Sequence, residues 1–228
     1  AYESQYCDWS SDVCSSDLEA ELPRLPSGAL EMTDQPWGGD VVYLAASDFT
    51  TPLTLFALDL NVMELTVMRR QPQQFVSDGI EVRQFWAVSS DGERIPYFHV
   101  GKNATPDTPT LVYAYGGFGI PELPHYLGSI GKYWLEEGNA FVLANIRGGG
   151  EFGPRWHQAA QGISKHKSVD DLLAVVRDLS ERGMSSPQHI GLQGGSNGGL
   201  ITAAAFVREP QSISTRSEER RVGKECRS

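Results

Sequence analysis

The chain has 228 residues, a formal charge of −10 and 40% hydrophobic content, which suits a globular protein able to bury a sizeable core. The acidic balance argues against a nucleic-acid partner, and no run of 18 apolar residues is present to cross a membrane as a helix. Three cysteines, Cys7, Cys14 and Cys226, form an odd set near the two ends that supports neither a disulfide framework nor a metal site, so no metal and no cofactor is expected.

Ala1 to Cys7 lack a basic start and an apolar run, and so do not read as a secretory signal. Asp8 to Leu18 resembles a translated sequencing adapter, and so does Arg216 to Cys226. Ser15-Ser16-Asp17-Leu18 can be written TCT-TCC-GAT-CT, whose opposite strand, AGATCGGAAGA, reads Arg-Ser-Glu and the start of Glu, as the other segment does from Arg216. Residues 1–18 and 212–228 are therefore expected to be non-native tails outside the fold. Polar ends of this composition would in any case stay disordered.

Val41 to Ala45, Leu53 to Leu58 and Leu65 to Met68 are short apolar runs separated by turn residues, which predicts three strands. They suit part of a propeller blade or of a sandwich, and need neighbours to be stable. Val82 to Val88 and Ile95 to Val100 read as a hairpin around Ser90-Asp91-Gly92-Glu93. Thr110 to Tyr115 and Ala140 to Ile146 are continuous apolar strands, as expected where helices cover both sheet faces. A helix is expected over 128–137 between them. Ser168 to Arg182 carries Val169, Leu172, Leu173, Val176 and Leu179 at helical spacing, with Ser168 and Asp171 resembling a capping box and Gly183 as the stop. His189 to Gln193 predicts a short strand, and Leu200 to Val207 a further helix. This alternation predicts an α/β sheet with parallel strands.

Between that strand and helix lies Gly194-Gly195-Ser196-Asn197-Gly198, a Gly-x-Ser-x-Gly turn. A nucleophilic serine needs a tight turn that lifts its hydroxyl clear of the backbone, and the flanking glycines permit the close approach this requires. The helix start favours negative charge there, and the Asn197 N–H would donate to an oxyanion. The alternative is a glycine-rich phosphate-binding turn.

Tyr113 to Gly119, Ala144 to Gly153, Trp156-His157 and Gly194 to Leu200 resemble, in order, motifs of the prolyl oligopeptidase family. The resemblance runs from about Pro36 to Pro210. It implies the N-terminal half of an α/β-hydrolase domain (residues 81–211) preceded by the remnant of the last β-propeller blade (residues 19–80). It further implies a serine peptidase that cleaves short peptides after proline. Ser196 then matches the nucleophile, Asn197 the backbone oxyanion donor, Tyr115 the hydroxyl oxyanion donor and Phe118 a substrate-pocket aromatic. Without the resemblance, Tyr115 reads as a core aromatic. Arg147 and Glu151 read as a structural loop pair, and Asp170 and Asp171 as helix N-terminal charges. The implied partners are short proline-containing peptides, with a monomeric full-length parent in the cytoplasm, the periplasm remaining open.

An α/β-hydrolase orders its triad Ser, Asp or Glu, His. No aspartate and no histidine follows Ser196, and His99, His125, His157, His166 and His189 all precede it. A serine without a base is a poor nucleophile, so the chain as written is expected to be an inactive fragment of an active peptidase. The alternatives are an oligopeptidase B relative cutting after basic residues and a non-catalytic homologue.

Overall fold

A computed structural model describes residues 25–33 and 39–219. They fall into two compact units, the described residues up to 77 with 123–132 in one, and 78–122 with 133–219 in the other. The division at 77/78 lies three residues before the expected boundary, and the excursion of 123–132 into the first unit is not legible in the sequence.

The first unit holds a four-stranded antiparallel sheet in the order β1 (Ala29–Met32), β2 (Val41–Ser47), β3 (Thr54–Asp59), β4 (Glu64–Arg70). The last three are the expected strands; β1 lies in a segment with no alternating pattern. Along β3 burial alternates, and Phe56 and Leu58 form a small core with Leu44 and Ala46. The separator between β2 and β3 is tied by Asp48, whose Oδ1 accepts from the N–H of Thr50 (2.9 Å) and Thr51 (2.7 Å).

The second unit is built on a six-stranded sheet. β5 (Glu81–Val88) and β6 (Arg94–Gly101) form the expected antiparallel hairpin. β7 (Thr110–Ala114), β8 (Ala140–Ala144), β9 (Ile190–Gly195) and β10 (Thr215–Glu219) add in the order β10-β9-β7-β8-β6-β5. The β7–β8, β7–β9 and β9–β10 pairs are parallel. All five residues of β8 are buried, as its unbroken apolar run demands.

The expected helix over 128–137 is instead one turn of α-helix, α1 (Gly128–Ile130), followed by a wider π-turn over Gly131–Leu135. α2 (Gly153–Gln158), α3 (His166–Glu181) and α4 (Asn197–Arg208) follow. The five stripe residues of α3 are all buried in the core with Val112, Val142, Ile190, Leu192 and Ile201. Gly183 ends the helix at a φ of 66°.

Two expectations do not hold. Ser168 and Asp171 form no capping box: α3 begins two residues earlier, Ser168 Oγ donates to the Arg147 carbonyl (2.7 Å) and Asp171 turns to Arg147. Residues 212–228 are expected outside the fold, yet Thr215–Glu219 forms β10 against β9. A strand edge presents a row of N–H and C=O groups that an extended segment satisfies whatever its side chains are, so backbone pairing decides the outcome there.

Candidate active site

Ser196 sits between the end of β9 and the start of α4 with φ 51° and ψ −110°, exposed to solvent. This backbone region is sparsely populated for any residue with a Cβ and costs on the order of 1–3 kcal/mol. The turn holds because its flanks are glycine. A Cβ on Gly194 would lie 2.4 Å from the Gly198 carbonyl carbon, and one on Gly198 would lie 2.3 Å from the Ala114 carbonyl oxygen. The elbow is thus seated directly on the end of β7.

The next segment of the β7 strand end completes the cluster. Asn197 Nδ2 donates to the Tyr115 carbonyl at 2.6 Å, and Gly117 packs so closely on that amide that its Cβ would meet Nδ2 at 2.5 Å. Phe118 adopts a φ of 56° and is 75% exposed, which presents its ring to solvent beside the turn. Ser196, Asn197, Tyr115 and Phe118 therefore belong to two adjoining loops at the C-terminal ends of parallel strands, where α/β sheets carry their sites.

A cavity of about 280 Å³ opens next to them, lined by Phe118 and Asn197 together with His157, Gln161 and Lys165. His157 Nδ1–H donates to the Gly148 carbonyl (2.8 Å), which leaves Nε2 to accept from Gln161 Nε2 (2.5 Å). Lys165 Nζ donates to the Gly116 carbonyl at 2.6 Å and so ties down the Gly116–Gly117 peptide. Gly116 itself has a φ of 56°, and a Cβ there would meet Ile146 Cγ1 at 2.5 Å. Burial lowers the Lys165 ammonium's pKa from its ordinary value. Lys165 and Gln161 lie in no recognised motif; His157 is legible only as part of Trp156-His157.

Arg147 and Glu151 are not a loop pair. Arg147 is 3% exposed and grips Asp171 through Nε (2.9 Å) and Nη2 (2.6 Å), with Nη1 on Asp91 Oδ2 at 2.7 Å. Its backbone N–H donates to the same Asp171 carboxylate (3.0 Å), and Ser89 Oγ adds a further bond to Asp171 (2.6 Å). Asp171 is therefore the buried anchor of this loop, not a helix-end charge. Asp170 pairs with Arg208 at 2.6 Å. The cluster fixes the start of the 147–150 loop, whose Gly148 carbonyl receives both Gly119 N–H (3.1 Å) and His157.

Glu151 lies in a separate acidic pocket. Its Oε1 accepts from the Glu122 N–H (3.0 Å) and from Asn145 Nδ2 (3.3 Å), while Oε2 is buried without a hydrogen-bond partner among the described residues. Burial, with the Glu151 charge adding to it, pushes the Glu122 carboxyl up to about 7. Burial also raises Glu151. A carboxyl raised in the folded state contributes stability that is complete below its unfolded pKa of about 4.3 and lost as pH rises through the folded value. Urea melts should accordingly show stability falling between pH 5 and 8, and Glu122→Gln should flatten that slope. An unchanged slope in the variant would refute the assignment.

The profile of the prolyl oligopeptidase family matches residues 127–212, which include the Arg147 loop and the whole elbow. An uncharacterized peptidase of Sinorhizobium fredii is 39% identical over 86% of this chain and 27% of its own length. A prolyl endopeptidase of Elizabethkingia meningoseptica is 31% identical over 74% of the chain and 24% of its own. The chain thus spans about a quarter of the length of these relatives. A solved post-proline cleaving enzyme from Rickettsia typhi superposes with a TM-score of 0.77 at 33% identity, covering 87% of this chain and 29% of that one. Oligopeptidase B from Trypanosoma brucei does so with a TM-score of 0.77 at 24% identity over 85% of this chain and 28% of that one, a likeness of fold alone. The sheet is therefore the N-terminal half of an α/β-hydrolase domain, with propeller strands before it. With the elbow glycines interlocked on the end of β7 and the match running through both loops, the chain belongs to the prolyl oligopeptidase family.

Proposed function

We propose that the full-length protein is a serine peptidase that hydrolyses short peptides on the carboxyl side of proline through an acyl-enzyme on Ser196. The observation that carries this reading is the strained, exposed Ser196 between β9 and α4, with Asn197 locked against Tyr115. In this reading the Ser196 hydroxyl attacks the scissile carbonyl, and its proton passes to a histidine base. The Asn197 N–H and the Tyr115 hydroxyl stabilise the oxyanion that forms. Phe118 offers the proline ring an apolar wall. The relatives' names support this substrate class, since prolyl endopeptidases recur among them. The protein is proposed to act as a monomer on free peptides.

No aspartate or histidine follows Ser196 in this chain, so the 228-residue polypeptide is proposed to be inactive. The test compares it with a chain continued past Pro210 by the downstream sequence of the gene, on chromogenic peptides ending in proline or arginine. The longer chain should release product after proline, and Ser196→Ala should lower its kcat by on the order of 10⁶-fold. Cleavage after arginine instead would point to an oligopeptidase B activity. A longer chain with its acid and histidine in place but no turnover on either peptide would refute the peptidase reading. Turnover by the 228-residue chain that Ser196→Ala abolishes would refute its inactivity.

A further inference from the structure

A second cavity, of about 530 Å³, lies at the opposite end of the same sheet from Ser196. Its wall follows from strand periodicity. Arg83 faces His99, Glu81 faces Gly101 and Phe85 faces Tyr97 across the β5–β6 pair, so alternate residues of both strands share one side. Tyr97 shows which side, since its hydroxyl donates to Asp178 on α3 at 2.6 Å. Lys102, Asn103 and Ala104 close one rim, and Arg182, Gly183 and Met184 at the end of α3 close the other. Gly101 contributes no side chain; a Cβ there would meet Ala140 Cβ at 3.2 Å and His99 Cε1 at 3.4 Å.

The chemistry of that wall is cationic with one buried polar group left over. His99 is 4% exposed, and its Nε2 has no hydrogen-bond partner among the described residues. A buried polar atom of this kind costs about 1–3 kcal/mol unless something satisfies it. Burial, reinforced by the Arg83 guanidinium, pushes its pKa down to about 4, so the ring is neutral at pH 7, and in its Nε2–H tautomer it has one donor to give an anion. Three cations line the cavity, Arg83, Lys102 and Arg182. Arg83 pairs with Glu81, and Arg182 pairs through Nε with Asp178 at 2.7 Å while its guanidinium lies over the Phe85 ring. Lys102 has no ion pair among the described residues. The cations thus exceed the facing acids by one, with that charge on the rim above a buried donor.

We propose that this cavity binds a small oxyanion, a carboxylate or a phosphate group on a compact body, held by Lys102 and His99 with Phe85 and Met184 against its apolar part. Guanidinium and ammonium groups recognise both oxyanions, and the volume suits a ligand of a few dozen atoms at most. The site is independent of Ser196 chemistry and does not rest on the peptidase reading.

Titration of the 228-residue chain with inorganic phosphate and, separately, with succinate, followed by imidazole NMR, tests it. The His99 resonances should move saturably at roughly millimolar concentrations, while those of His125, His157, His166 and His189 stay in place. Lys102→Glu, a surface change that leaves the core untouched, should weaken the response by roughly tenfold, the loss of one charge-assisted bond. Tighter binding of one anion identifies the group preferred. A His99 signal that neither anion moves overturns the proposal. So does an equal response from all five histidines, or a Lys102→Glu chain that binds as the parent does.

Discussion

Replacing Gly198 by alanine should destabilise the second unit by about 3 kcal/mol or more, a drop of roughly 6–12 °C in Tm for a chain of this size. The added methyl would sit 2.3 Å from the Ala114 carbonyl oxygen, which is backbone in the middle of the sheet and cannot swing aside. Either α4 lifts off β7 or the end of β7 bends, and both break packing around Ile201 and Ala205. Gly195→Ala is the matched control. It changes the residue immediately before Ser196, yet a Cβ there meets nothing within 4 Å, so its Tm should move by little. Equal melting of the two variants would mean that the elbow is not seated on β7 as described.

Arg147→Met should cost about 3–5 kcal/mol, the usual consequence of stranding one partner of a buried ion pair. Asp171 is fully buried, and without the guanidinium its carboxylate keeps, among the described residues, only the Ser89 hydroxyl and the residue-147 N–H. The same guanidinium holds the Asp91 carboxyl well below the usual carboxylate range. An acid whose pKa is depressed by folding contributes stability above its unfolded pKa, about 3.9, and loses it as pH falls below that value. Once both chains are matched for stability at pH 7, Asp91→Asn should therefore lose stability less steeply in acid and unfold at lower pH than the parent, a modest effect because Asp91 is partly exposed. Denaturant melts across pH measure both. An Arg147→Met chain as stable as the parent would show that the cluster carries no net stabilisation.

The amino-acid sequence by itself determined the elements whose signal is periodic and local. The apolar runs of β7 and β8 and the stripe on α3 need no partner to be recognised, because burial on a fixed face imposes a fixed spacing. The elbow was legible for the same reason: a turn that tight admits only glycine two residues before and two residues after Ser196, so the constraint is written in the residues themselves. The tertiary structure decided everything that joins residues far apart in the chain. Nothing near Arg147 indicates that Asp91, 56 positions earlier, and Asp171, 24 later, will share its guanidinium, and local spacing misassigned it to Glu151. The buried His99, the Lys165 tie to Gly116 and the pairing of Glu122 with Glu151 likewise exist only once sheet and helices have closed. Hydrogen bonds and charge pairing depend on distance in space, which sequence separation does not encode; hydrophobic periodicity depends on the geometry of a single element, which it does.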